Sequence, residues 1–402
     1  MPELNPSQAD LFARFRPIFA QIAERAAQRE QERELAFDAV ALLREAGFGA
    51  LRVPVALGGL GASVEQLFAL LIELGEADSN LPQILRAHFG FVERLYAEIA
   101  PELRERLLRL VAQGAIFGNA TTELGNGAPG KHKTTLSPDG EGWRLDGEKF
   151  YSTGTLYADW IAVSASREGS ADPVYVLVPA NAPGIDRIDD WRGFGQRLTG
   201  SGTTRFRDVA VSGEQVLSFP RNEPTSITAY FQLVHLATLA GIARAIERDA
   251  AVFVRARKRV YSHGSGRTPA EDPLVQQVVG QLASTAFVAA AAVAAVAQGL
   301  GEIDRLRQRG QAVPVGLLDD VELRTAKAQV GIADQVLAAA TRLFDIGGAS
   351  ALDEDRRLDR HWRNARTLAS HNPTLYKGRA VGDHVINGTA PTYYWSVGAK
   401  AA

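Results

Sequence analysis

The strongest constraint on the fold is that the apolar period of the chain changes twice. From Leu11, the positions Leu11, Phe12, Phe15, Ile18, Phe19, Ile22, Ala23 and Ala26 recur at three-to-four-residue spacing, the pattern of a helix that buries one face. Comparable patterns predict helices over about 35–46, 63–77, 82–98 and 102–113, the first of these closed by Gly47 in a C-cap position. Between about 115 and 221 the pattern shortens to runs such as WIAVSAS and VYVLVPA, separated by the turn clusters SPDGEG, LDGE and NAPG. This is the signature of an all-β block. A hairpin is expected over Lys133 to Phe150, where Asp139-Gly140 and Asp146-Gly147 tolerate the positive φ of tight turns.

After Pro220 helical spacing returns, with long segments near 225–260, 273–309 and 317–346 and shorter ones to about 386. The sequence therefore predicts an α+β chain of three blocks. These are an N-terminal helical domain over 1–114, a middle β-barrel or sandwich domain over 115–221, and a C-terminal four-helix bundle over 222–402. The Ala-rich stretch 282–297 suits the bundle's centre, because small side chains let helices approach closely. A helix that apolar also suggests pairing between subunits.

Composition narrows the function. Across 402 residues, 44 Lys plus Arg face 46 Asp plus Glu, a formal charge of −2, so no global field favours nucleic acid or an anionic membrane. Cysteine is absent, which removes disulfides, thiolate metal sites and cysteine nucleophiles, and fits a cytoplasmic setting. The N-terminus lacks a signal-peptide pattern. The longest uninterrupted apolar run, Ala286–Ala297, is shorter than a membrane span. The seven histidines (His88, His132, His235, His263, His361, His371 and His384) form no metal-binding motif. Nucleophile-elbow, Walker and Rossmann signatures are also missing.

Two segments of the β block carry clustered hydroxyl and amide groups about thirty residues apart: Phe117-Gly-Asn-Ala-Thr-Thr-Glu-Leu-Gly125 and Lys149-Phe-Tyr-Ser-Thr-Gly154. With SGTTRFRDVAV at 201–211 and the α, β, α order, they resemble the acyl-CoA dehydrogenase superfamily. The resemblance implies that fold and a flavin lying between the β domain and the bundle, lined by Asn119, Thr121, Thr122 and Ser152. Trp191 and Phe150 would cover its faces. Buried ring carbonyls and nitrogens need hydrogen-bond partners, and the ring faces need apolar contact.

One segment departs from a dehydrogenase. Where that family carries its proton-abstracting glutamate, the chain reads Arg363-Asn-Ala-Arg-Thr-Leu-Ala-Ser-His371-Asn372-Pro373-Thr374, and neither Asn372 nor Pro373 can act as a base. The loop after Glu123 likewise reads Gly127-Ala128-Pro129 in place of the usual Gly-Ser-Asp. The run ASHNPTLYKGRAVGDHVINGT instead resembles the flavin monooxygenase branch, which includes dibenzothiophene monooxygenase. Members take reduced flavin from a separate NAD(P)H:flavin reductase and oxygenate substrates through a C4a-hydroperoxyflavin.

The resemblance implies FMN, with FAD less favoured, O2 as co-substrate, and a small apolar aromatic or organosulfur substrate. It places Ser152 on flavin N5, His371 beside the bound oxygen, and His88 and Asn119 on the oxygen and substrate side. Arg257, Arg259 and Arg363 are candidates for the phosphate, and Gly347-Gly348 for the approach to a neighbouring subunit's flavin in a homotetramer. The alternative is an acyl-CoA dehydrogenase or oxidase using FAD.

Overall fold

The computed structural model describes residues 6–125, 132–170, 172–219 and 223–394; Gly127-Ala128-Pro129 and Pro220 lie outside them. Helix α1 (Gln8–Glu32) starts at Ser7, whose hydroxyl accepts from the Asp10 amide at 3.1 Å while the Asp10 carboxylate accepts from the Ser7 amide. Two orphan amides of the first turn are thereby satisfied. Helices α2 (Phe37–Glu45), α3 (Val64–Ala77), α4 (Asn80–Glu98) and α5 (Pro101–Ala112) follow. Gly47 has φ +75° just after α2. Arg29 and Asp78, both buried, pair at 3.1 Å and tie α1 to the start of α4.

Strands β1 (Phe117–Ala120), β2 (Thr135–Asp139), β3 (Gly142–Lys149), β4 (Trp160–Arg167), β5 (Val174–Pro179), β6 (Ile185–Arg187), β7 (Thr204–Val211) and β8 (Val216–Leu217) form a sheet in the order β6-β7-β3-β2-β4-β5-β8. β1 pairs in parallel with β4. Inward-facing Leu136, Leu145, Ile161, Val163, Val176, Phe206 and Val209 fill its core. The β2–β3 hairpin turns at Asp139-Gly140, as expected. Asp146-Gly147, expected as a second turn, is instead a bulge inside β3. A Cβ on Gly147 would sit 2.6 Å from the Thr134 Cα, so glycine there permits strand contact rather than a reversal.

The C-terminal block consists of α6 (Ile227–Ala256), α7 (Pro273–Gln308), α8 (Val315–Arg342), α9 (Asp359–His371) and α10 (Thr374–Asn387). The bundle's centre is α6 rather than the Ala-rich helix. Of its most apolar stretch 89% is buried, against 22% for that of α7. α7 buries Leu282, Ala286, Ala289, Val293, Val296 and Leu300 along one face and exposes Phe287 and Val288 on another. Alanine content does not distinguish a central helix from one with a small-residue outer face. By length and composition α6 and α7 are both apolar enough to cross a membrane. The uninterrupted run understated this, because scattered Gln, Ser and Thr break it without adding charge.

Candidate functional site

The two hydroxyl-rich segments meet at one edge of the β domain. Thr121 Oγ1 donates to Asn119 Oδ1 at 2.7 Å, and the Phe150 amide donates to the Thr122 carbonyl at 2.8 Å. Behind this edge, fully buried Lys149 donates to the Thr121 carbonyl at 3.2 Å and to Glu123 at 2.6 Å. Burial alone would raise the Glu123 carboxyl, but Lys149 and the Lys133 and Thr134 amides outweigh it and hold it down at about 2.

Ser152 follows this edge. Its amide donates to the Gly202 carbonyl at 3.1 Å, while its hydroxyl is buried without a partner. Gly154, at φ +80°, closes the turn onto α4, since a Cβ there would lie 2.4 Å from the Ile84 carbonyl oxygen.

Two residues beyond Ile84, α4 turns Arg86 toward the bundle. Its Nε donates to the Phe231 carbonyl at 3.0 Å, and its guanidinium carbon lies 4.9 Å from the centre of the Phe231 ring. Helices α4 and α6 approach closely because Gly90 faces that ring; a Cβ would come within 2.1 Å of it. One turn further along α6, the rings of His235 and His371 stand 4.3 Å apart. Asn372 donates to Gln232 at 2.6 Å, and its carbonyl accepts from Gln329 at 2.8 Å, so the end of α9 is fastened to α6 and α8.

His235 is completely buried and neither ring nitrogen has a partner. His371, the last residue of α9, is exposed to solvent. Burial and the nearby Arg86 charge push both imidazoles down, leaving them neutral at pH 7. Burial also lowers the Arg86 guanidinium, to about 10, and it remains charged.

Several sequence candidates lie elsewhere. His88, expected on the oxygen and substrate side, has both nitrogens on main chain: Nε2 with the Gly49 carbonyl at 2.9 Å and Nδ1 accepting from the Phe117 amide at 3.2 Å. Residues i and i+2 of a helix point about 200° apart, so Arg86 and His88 look in nearly opposite directions. Arg363 is taken up by buried Glu30 at 2.6 Å, Asp359 at 2.7 Å and the Phe194 carbonyl, so no free guanidinium is presented to a phosphate.

Arg257 bonds the Ile346 carbonyl at 3.2 Å and stacks on Tyr261, which abuts Gly348. Arg257, Gly347 and Gly348 therefore form a cluster of their own. Along α6 that cluster lies about 33 Å from His235, at about 1.5 Å per residue, longer than an FMN molecule. Arg259 is exposed beyond the end of α6. Trp191 donates to the Gln196 carbonyl at 3.0 Å and meets Tyr151 edge-on.

The residues that the sequence reading passed over are Arg86, Gln232 and His235. His235 stood out only as a lone histidine in an apolar helix, and Arg86 only as the neighbour of His88.

The residues present fit a flavin. A buried hydroxyl lacks a partner, amide and hydroxyl groups line the adjoining edge, and Phe150, Tyr151 and Trp191 offer aromatic surface. Tyr151 holds φ +57° in the turn that leads to Ser152. A dehydrogenase base does not fit. Glu322, buried in the neighbouring α8, is bonded to Lys377 at 3.0 Å and Thr228 at 3.0 Å.

Family models for the N-terminal, middle and C-terminal domains of acyl-CoA dehydrogenase match residues 6–115, 118–209 and 233–374. A dibenzothiophene monooxygenase of Mycolicibacterium goodii is 30% identical over 370 residues, 87% of each chain. A probable FMNH2-dependent monooxygenase of Pseudomonas putida, SfnC, is 27% identical over 389 residues, covering 94% of this chain and 96% of the relative. The crystal structure of FMN-bound TdsC from Paenibacillus sp. A11-2 superposes with a TM-score of 0.87 at 25% identity, covering 94% of this chain and 97% of that one.

Proposed function

The chain belongs to the flavin-dependent monooxygenase branch of the acyl-CoA dehydrogenase family, and we propose that it is the oxygenase of a two-component system. It takes reduced FMN from a separate NAD(P)H:flavin reductase and transfers one atom of O2 to a small organosulfur or aromatic substrate. One observation carries the reading: at the position of a dehydrogenase's carboxylate stands Asn372, tied to Gln232, beside a pair of neutral histidines. Abstraction of an α-proton has no base there.

Bound in reduced form, FMN supplies two electrons for oxygen activation. The Ser152 hydroxyl, which has no partner in the chain, would hold the N5 side of the ring, and Asn119, Thr121 and Thr122 would bond the polar edge beside it. Lys149 and Glu123 fix that edge by gripping the Thr121 carbonyl and the 133–134 segment. His371, kept neutral beside His235, offers a hydrogen bond rather than an acidic imidazolium. Phe231 and the α4–α6 contact exclude water from that side.

The enzyme assembles as a homotetramer. Phe287 on α7, and Leu375, Val385 and Ile386 on α10, expose wide apolar surfaces in the single chain. In such an assembly the cluster of Arg257, Gly347 and Gly348, too distant for the flavin of its own chain, serves the flavin of a neighbour. The NAD(P)H needed upstream places the enzyme in the cytoplasm.

The test is to reduce the FMN-loaded protein anaerobically and mix it with O2. Slow return of oxidised-flavin absorbance is expected, with a single turnover of oxygenated product when substrate is present and repeated turnover only when the reductase is added. Anaerobic bleaching of bound flavin by an acyl-CoA overturns the reading.

A further inference from the structure

Resting on the oxygenase reading, we propose that the substrate carries an oxyanion head group, received by Arg86 with His235 and His371. Several arginines of the interior are matched to carboxylates. Arg29 meets Asp78 at 3.1 Å, Arg52 meets Asp304 at 2.8 Å, Arg360 meets Asp249 at 2.6 Å and Arg363 meets Glu30 at 2.6 Å. Among the described residues Arg86 has no carboxylate. One of its five N–H donors reaches a carbonyl and its face rests on Phe231. Arg86 is half-buried, and a cation so placed without a counter-charge lacks part of its solvation, which a ligand that brings the charge restores.

The neighbouring groups favour the same ligand. His235 is fully buried with both nitrogens unpartnered, an arrangement that native interiors rarely leave unfilled. A neutral imidazole offers one N–H to an anion and adds no competing charge. A wholly apolar occupant would leave the guanidinium and the imidazole unsatisfied, whereas a carboxylate or sulfur oxyacid accepts from the Arg86 fork and from a histidine together. The aromatic wall at Phe231 suits an apolar body attached to that head.

For a sulfinate the chemistry balances. The sulfur lone pair takes one oxygen atom of O2, giving the sulfonate. The other atom leaves as water with the two hydrogens of reduced flavin, which ends oxidised.

A second source of negative charge is the reduced flavin itself, and the experiment separates the two. Flavin-free, full-length protein is titrated calorimetrically with benzenesulfonate, which cannot be oxidised further, and with neutral benzothiophene. The parent binds benzenesulfonate. Arg86→Met weakens it by about 10-fold or more, Arg86→Lys recovers part, and benzothiophene is unaffected. His235→Leu is the second variant and weakens benzenesulfonate alone. Arg86→Met is also expected to keep the melting temperature, since it deletes a half-buried charge that has no carboxylate partner.

Equal benzenesulfonate affinity in the parent and Arg86→Met, or no binding by the parent, overturns the proposal. So does a variant that loses only reduced-FMN affinity under anaerobic titration. A parent that oxygenates benzothiophene but binds no benzenesulfonate sinks the head-group assignment and leaves the oxygenase intact. Tight, Arg86-dependent benzenesulfonate binding with reduced FMN reoxidised as though free keeps the anion site and sinks the oxygenase reading.

Discussion

His88 and His235 are both completely buried and both held neutral by burial, yet their surroundings differ in the one respect that matters. Around His88, where α4 meets β1 and the turn at Gly49, each ring nitrogen has a main-chain partner. Around His235, where α6 meets α9, neither nitrogen has one. The first region is a finished interior and the second is shaped for something the chain does not supply. Burial and a lowered pKa are common to both, so neither identifies a site. Unmet hydrogen-bonding capacity is what separates the two.

The largest test of this contrast is His88→Ala. It removes a packed ring and strands the Gly49 carbonyl and the Phe117 amide, so urea denaturation should show a loss of about 3 kcal/mol. The surviving folded protein should still couple NADH use to product. Stability unchanged in that variant would mean that His88 is no pin.

Ser152→Ala and His371→Ala should do the reverse. The fold and FMN binding persist, while product per NADH falls about 100-fold and peroxide takes its place, the usual scale for losing one group aimed at the reacting centre. Tight coupling in both would return these residues to a structural role.

His235→Leu sharpens the contrast further. Because no hydrogen bond is lost, unfolding free energy should change by no more than about 1 kcal/mol, in either direction.

The smallest effect is in acid. His88 and His361 are each lowered to about 4 in the fold from a usual 6.5, so the unfolded chain binds more protons between those values. Their contribution is complete above about 6.5 and is lost as pH falls toward 4. His235, also pushed well below its usual value by burial, adds to that slope. Melting temperature against pH should therefore drop less steeply in His235→Leu than in the parent, and identical slopes would show that His235 is not held neutral.

Much of this was legible in the chain, for reasons that differ by region. The helices and the β2–β3 hairpin follow from period, capping residues and Asp139-Gly140, all local signals. The edge carrying Asn119, Thr121, Thr122 and Ser152 was legible through family motifs, and the structure joins those segments through the Thr122–Phe150 bond. The sequence carries no sign of what packs against His88, and only the structure sets both its ring nitrogens on main chain. α7 was misplaced for a similar reason: composition records small residues but not which neighbours they meet.

By itself the sequence determined the α, β, α order, the absence of a carboxylate at position 372 and the two hydroxyl- and amide-rich segments of the β block, because each depends on residue type and short spacing. Only the tertiary structure decided that Arg86 lacks a counter-ion, that His235 faces His371 and that Arg363 is already paired. Those facts depend on residues far apart in the chain, Arg86 with Phe231, His235 with His371 and Arg363 with Glu30. Whether a buried polar group is satisfied is a property of its neighbours, and packing alone chooses them.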